Sequence, residues 1–249
     1  MKKSIVFTLM CSLMLFTSCL LDKNLNITIG DGALIEPSAN IVKKEYKQPA
    51  FHKVEVDVVA NVKFIQSQGD DYRVVLSAPD NYIELFKFDV GDDELDIEFS
   101  KKANIKPEKV DITIYAPTLK KMDNRSVASI EVDRLNSDVL RIENSGVGKI
   151  YMNNLTIGKL NVECSGVGGV EVSGTADKAD LECSGVGSIT AHMLKAKDVK
   201  AEVSGVGGIQ CYAKERIRGE VSGVGSLKYD GDPTDKEFKR TGVGSISQM

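Results

Sequence analysis

Leu160-Asn161-Val162-Glu163-Cys164-Ser165-Gly166-Val167-Gly168-Gly169-Val170-Glu171-Val172 sets the pattern for the second half of this 249-residue chain. Apolar Leu160, Val162, Cys164, Val170 and Val172 alternate with polar Asn161, Glu163 and Glu171, and a glycine-rich turn interrupts the alternation. Runs of about five residues with a period of two read as short strands that bury one face. The Gly-Val-Gly at the turn recurs as Gly146/Gly148, Gly166/Gly168, Gly185/Gly187, Gly205/Gly207, Gly223/Gly225 and Gly242/Gly244, with successive copies 20, 19, 20, 18 and 19 residues apart. Ser126, Val127, Ala128, Ser129 and Ile130 form a degenerate copy one period upstream, so the repeats run over 123–249. A fixed period near 20 marks a solenoid, in which each unit buries its apolar face only against its neighbours.

A coil of this length holds about three short strands with bends between them, and it returns to its start one strand spacing, ~4.8 Å, further along. The expected fold is therefore all-β: a parallel β-helix, right-handed because strand, crossover and parallel strand connect that way. No proline falls between Thr118 and Asp232, where ladder hydrogen bonds would be lost. Two inward columns are expected: Val127, Val147, Val167, Val186, Val206, Val224 and Val243, and Ile130, Ile150, Val170, Ile189, Ile209, Leu227 and Ile246. The turn glycines either take positive φ at a sharp corner or let successive backbones pass closely. A phosphate cradle would need a helix after the glycines, and calcium-binding nonapeptide loops would need an Asp beside them. Neither is present here.

Four residues before each turn valine stand Asp123, Glu143, Glu163, Glu182, Glu202 and Glu220, then Lys239. Alternation points this column outward. Two positions earlier come Lys121, Arg141, Asn161, Asp180, Lys200, Arg218 and Glu237, a mostly basic column that offsets the stacked carboxylates through lateral ion pairs. The alternative is a stripe of Glu143, Glu163, Asp180, Glu182, Glu202 and Glu220 that binds a divalent cation or a basic partner, strongest at Glu163 and Glu182 because Asn161 and Asp180 replace the cations there. Cys164 and Cys183 share one slot with Asn144, Val203 and Val221, in reach of a disulfide or stacked as free thiols. Cys211 reads as core.

The amino terminus answers a different question. Lys2 and Lys3, an apolar stretch from Ile5 to Phe16, and Thr17-Ser18-Cys19 form a signal peptide over 1–18 that resembles a bacterial lipobox. That implies cleavage before Cys19 and acylation of its thiol, of the palmitate type, so that the membrane is a partner through the anchor. Residues 19–48 read as a polar tether with at most one strand, and 49–249 as the folded domain, whose strands between Phe51 and Tyr115 lack the 20-residue period and are expected to open the same solenoid and cover its end. With 36 acidic against 32 basic residues and no Trp, the chain has no basic footprint for nucleic acid. No cofactor and no metal are implied.

Phe51 and Val54, Ala116-Pro117-x-Leu119, the successive Ser-Gly-x-Gly-x-Ile units and Tyr229-x-Gly231-x-Pro233 before a last Gly-Val-Gly together resemble the auto-transporter adhesin family with the head GIN domain, over roughly Ala50 to Met249. The chain departs from that family in using Gly-Val-Gly where Gly-Ser-Gly is frequent. The resemblance implies a bacterial lipoprotein or secreted protein, common in Bacteroidetes, with a β-helical domain and an adhesin role; it carries over no catalytic or ligand-binding residue. The resulting expectation is a non-enzymatic, lipid-anchored outer membrane β-solenoid that binds a glycan or protein ligand. Alternatives are a periplasmic structural or partner-binding lipoprotein, favoured by the lack of an acidic run after Cys19, and a carbohydrate-active enzyme using Glu163, Asp180 and Glu182 beside Lys200 and Arg218. Weak self-association is expected through the open C-terminal coil edge.

Overall fold

A computed structural model describes residues 34–101, 103–106 and 109–249. The signal peptide and Cys19 lie outside the described residues. The strands are β1 (Leu34–Ile35), β2 (Ile41–Lys47), β3 (Lys53–Asp57), β4 (Asn61–Gln66), β5 (Arg73–Pro79), β6 (Phe86–Gly91), β7 (Glu94–Phe99), β8 (Asn104–Ile105), β9 (Asp111–Ala116), β10 (Lys121–Asn124), β11 (Ser129–Val132), β12 (Leu135–Asn144), β13 (Lys149–Cys164), β14 (Gly169–Cys183), β15 (Ser188–Val203), β16 (Gly208–Val221), β17 (Ser226–Asp230), β18 (Asp235–Arg240) and β19 (Ser245–Gln248), with a 3-10 helix at Asp80–Leu85. From β10 onward every pairing is parallel, each strand lying on its equivalent one coil away, as a parallel β-solenoid requires.

Three short strands per coil were expected, yet β13, β14 and β15 each run from one glycine turn to the next. Pairing continues around the bends because one coil follows its neighbour, and the bends survive only as register shifts, at Met152/Leu155 and Glu171/Gly174. Asn154 and Gly174 sit at that corner with φ of 49° and 127°. Inside, Leu140, Leu160, Ala179, Val199 and Ile217 stack in one column and Ile130, Ile150, Val170, Ile189, Ile209 and Leu227 in another, all buried. The last member of the second column, Ile246, is only partly buried.

The valine column is not core. Val147, Val167, Val186, Val206, Val224 and Val243 are exposed. The reason lies in what fills the inner side of the turn. A Cβ on Gly187 would stand 1.8 Å from the Gly168 carbonyl oxygen and 2.8 Å from Cys164 Sγ, and one on Gly207 would stand 1.7 Å from the Gly187 oxygen and 2.9 Å from Cys183 Sγ. The last two turns are closed in the same way by valine instead of cysteine. A Cβ on Gly225 would meet the Gly207 oxygen at 2.0 Å and Val203 Cγ1 at 2.6 Å, and one on Gly244 the Gly225 oxygen at 2.0 Å and Val221 Cγ1 at 2.6 Å. Alternation thus runs unbroken through the turn: the second glycine takes the inward position, where the coil below and its Asn, Cys or Val side chain leave no room, and the valine before it turns outward.

Gly225 and Gly244, like Gly168 and Gly187, are buried and packed against the preceding coil. None of the Gly-Val-Gly glycines, from Gly146 to Gly244, has positive φ, so of the two roles expected for them only close backbone approach holds.

The slot four residues before each turn carbonyl is a stack of its own. Asn124 Nδ2 donates to the Ala128 carbonyl and to Asn144 Oδ1, Asn144 Nδ2 to the Gly148 and Gly169 carbonyls, Cys164 Sγ to Gly168 and Cys183 Sγ to Gly187. The three described cysteines are free and buried. The Cys183 sulfur alongside, and then burial, push the Cys164 thiol up, while burial alone raises Cys211 to about 12.

The N-terminal strands join the stack out of sequence order. β3 lies between β7 and β10, and β4 between β9 and β11, all parallel, so the coil of residues 53–66 is sandwiched between two later ones. Beyond it, β5 pairs antiparallel with β2 and β9, and β6 antiparallel with β7. Residues 34–47, expected as tether, therefore contribute β1 and β2 to the fold. Aromatic rings crowd this end, with Phe51 against Tyr72 at 5.6 Å, Phe86 against Phe99 at 5.1 Å and Tyr46 against Phe88 at 4.8 Å.

Candidate functional site

Register places the acidic residues in one unbroken column. Asp123 faces Glu143, then Glu163, Glu182, Glu202 and Glu220 follow rung by rung, and Lys239 closes the series. The column also extends the other way, through Glu55 to Asp96, which sequence reasoning missed. Lys53-Val54-Glu55-Val56 carries the same alternation as Lys121-Met122-Asp123-Asn124, but without a glycine turn to mark its register it could not be aligned.

The flanking column behaves as lateral ion pairing predicts over most of its length. Lys121 Nζ lies 3.2 Å from Asp123 and 3.1 Å from Glu143; Arg141 pairs with Glu143 and, at 3.0 Å, with Glu163; Lys200 lies 2.7 Å from Glu202. Arg125, from the degenerate turn, clasps Asp123 and Glu55 and covers Asp123, which is 3% exposed. At the far end Arg218 turns to Asp235 and Glu237, and Glu220 takes Lys239 from the next coil instead. Burial pushes the Glu143 carboxyl up, but hydrogen bonds from Arg141 and Lys121 outweigh it and hold the group below its ordinary value. At Asp96 and Glu55 burial dominates and the neighbouring carboxylates add to it, so both are raised.

Between these paired segments the ladder has a gap. Asn161 and Asp180 stand where the coils on either side carry Arg141 and Lys200, and among the described residues Glu182 has no cation within 4 Å while Asp180 has Lys159 at 3.8 Å. The Asn161 Oδ1 atom is covered and has no hydrogen-bond partner. An open cleft of about 310 Å³ lies over this point, floored by Asn161, Val162, Asp180, Leu181 and Glu182 and rimmed by Arg141, Lys159, Glu163, Lys200 and Glu202. Of the residues considered for catalysis it gathers Glu163, Asp180, Glu182 and Lys200; Arg218 belongs to the adjoining cleft with Glu220, Glu237 and Lys239. Among the described residues no three His, Cys, Asp or Glu side chains converge as a metal site, which leaves the stripe's divalent-cation reading without a ligand set. What the cleft offers is the carboxylates of Glu163, Asp180, Glu182 and Glu202, with the cations of Arg141, Lys159 and Lys200 beside them.

The family model described as "Putative auto-transporter adhesin, head GIN domain" matches residues 50–233. A solved structure from Bacteroides fragilis, described as a putative adhesin, is 38% identical, covers 86% of this chain and 100% of its own, and superposes with a TM-score of 0.83. Two more distant structures share the fold. One is a putative lipid binding protein from Parabacteroides distasonis, 19% identical, covering 87% of this chain and 100% of its own with a TM-score of 0.67. The other is a putative adhesin from Parabacteroides merdae, 18% identical, covering 88% and 100% with a TM-score of 0.63. No curated protein matches the chain.

Proposed function

The chain belongs to the head GIN domain family of auto-transporter adhesins, and from that premise we propose that it is a non-enzymatic, adhesin-like binding protein of the cell envelope, anchored in the outer membrane by lipid on Cys19, that grips its ligand along the carboxylate face of the solenoid. The ligand presents a row of cationic or hydrogen-bond-donating groups. The observation that carries this reading is the gap at Asn161, Asp180 and Glu182, where among the described residues Glu182 has no ion-pair partner, Asp180 has Lys159 no nearer than 3.8 Å, and the Asn161 Oδ1 atom has no hydrogen-bond partner. Stacked like charges are unfavourable, and an unpaired buried acceptor forgoes a hydrogen bond. A bound donor relieves both.

The test is binding of the whole protein to arrays of glycans and matrix proteins, with Asp180→Lys and Glu182→Lys beside the wild type. Loss of tenfold or more in affinity with an unchanged melting temperature is expected, while equal binding by the variants would move the ligand off this face. Protease shaving of intact cells tests the adhesin role separately. Removal of the domain is expected; survival would overturn that role and leave a periplasmic partner-binding lipoprotein.

A further inference from the structure

The six outward valines form a ridge along one corner of the solenoid, with Val147, Val167, Val186, Val206, Val224 and Val243 exposed by 58, 63, 61, 62, 64 and 87%. The ridge is fixed in place: the Val167 amide donates to the Gly146 carbonyl at 3.2 Å, Val186 to Gly166 at 3.1 Å and Val206 to Gly185 at 3.0 Å. Stacking on the next coil covers part of each valine, since Val243 at the end of the row is 87% exposed against 58 to 64% for the others, but it leaves more than half of each side chain in solvent. The inner side of the turn is filled by the glycines and the Asn, Cys or Val slot, and the valine side chains point away from it into solvent. Scattered surface valines are ordinary, but six in line expose on the order of 500 Å² of contiguous apolar surface, near the upper end for a soluble monomer.

Along its middle the ridge has neutral flanks. Ser165, Ser184, Ser204 and Ser222 precede the valines, and Ser188, Gly208, Ser226 and Ser245 follow two residues after them; charge enters at the two ends, with Lys149 beside Val147 and with Arg240, which donates to the Gly244 carbonyl at 3.3 Å, beside Val243. We infer that this ridge is a dimer face whose occupant is the same ridge of a second copy of the chain. Three features choose that occupant. Both copies carry rungs one strand spacing apart, ~4.8 Å, so a two-fold axis across the ridge lays the two rows of valines against each other in matching period. Two ridges closing on each other bury on the order of 1,000 Å², the lower bound for a specific and reversible pair. The neutral margin keeps each copy's carboxylate column, four residues back, away from its counterpart. Both ligand faces stay free, and the pair gains the avidity of two linked sites.

The experiment uses the full chain in its own cells with Val186→Cys, near the middle of the ridge, and a short bis-maleimide. Wild type is the background, its Cys164, Cys183 and Cys211 being buried, and Lys197→Cys is an exposed control away from the ridge. A band at twice the chain mass is expected for Val186→Cys alone, falling tenfold or more when Val167→Asp and Val206→Asp are added without a change in melting temperature. The inference is overturned if Val186→Cys is labelled by a monofunctional maleimide yet gives no dimer band, if the band survives the two aspartates, if Lys197→Cys gives it equally, or if the product has the mass of a different partner.

Discussion

The coils from β12 to β16 and the N-terminal strands β1 to β9 hold together by different means. In the coils, each residue type repeats at its own rung, so the inner corner is closed by glycine against a carbonyl, and the interior is small: Ala176, Ala179, Ala196, Ala201 and Ala213 are all buried there. At the N-terminal end no glycine turn repeats. Antiparallel strands and large rings take over, with Phe51, Tyr82 and Phe64 among the most deeply buried side chains. A periodic stack needs only that each coil match the next, whereas an end must close the interior with side chains that fit one place.

The largest effect separates adjacent residues of one turn. Gly187→Val drives a branched side chain against the Gly168 carbonyl and Cys164 Sγ and is expected to cost about 3 kcal/mol or more in chemical denaturation. Val186→Ser, one residue earlier and 61% exposed, is expected to stay within about 0.5 kcal/mol. If the two cost the same, the turn is not built as described. Phe51→Ala, in the aromatic end, is expected to cost about 3 to 5 kcal/mol through cavity formation. Detection of unfolding by probes at each end tells whether that loss spreads along the stack. Cys164→Val should cost less than about 1.5 kcal/mol, because the same slot already holds Val203 and Val221, and equilibrium unfolding of the variant measures it.

The smallest effect is a difference in sign with pH. Glu143 is lowered in the folded chain, so its stabilisation is present above the unfolded carboxylate value near ~4.3 and is lost as pH falls through the lower folded value. Asp96 and Glu55 are raised, so they disfavour folding at neutral pH and that penalty lifts as pH falls through their folded values. Asp96→Asn is therefore expected to add a few tenths of a kcal/mol at neutral pH and to flatten the gain on mild acidification, and Glu143→Gln to flatten the later acid loss. Melting temperatures from neutral pH down to about 3 on the two variants read both slopes. Parallel slopes would end the distinction between the two ends of the column.

The coils are legible because repetition supplies its own alignment. Once the glycine turns are superposed, Asp123 through Glu220 fall on one line, and the register agrees rung by rung. Glu55 and Asp96 are not legible, since their coils carry no turn motif and one of them stacks against residues far along the chain. The valine ridge escapes for a different reason. Gly-Val-Gly reads as a break in the alternation, and that reading assigns the space left by Gly225 or Gly244 to the valine beside it, when the preceding coil's carbonyl and side chain already occupy it.

By itself the sequence determined the all-β class, the length of a coil and which polar residues share a rung, because a period of about 20 and an alternation of two are properties of the chain alone. Only the tertiary structure decided which side of the turn is inside, where the first coils insert and which carboxylates find a cation. Those depend on the distance from one coil's side chain to the next coil's backbone, which arises only when coils are stacked.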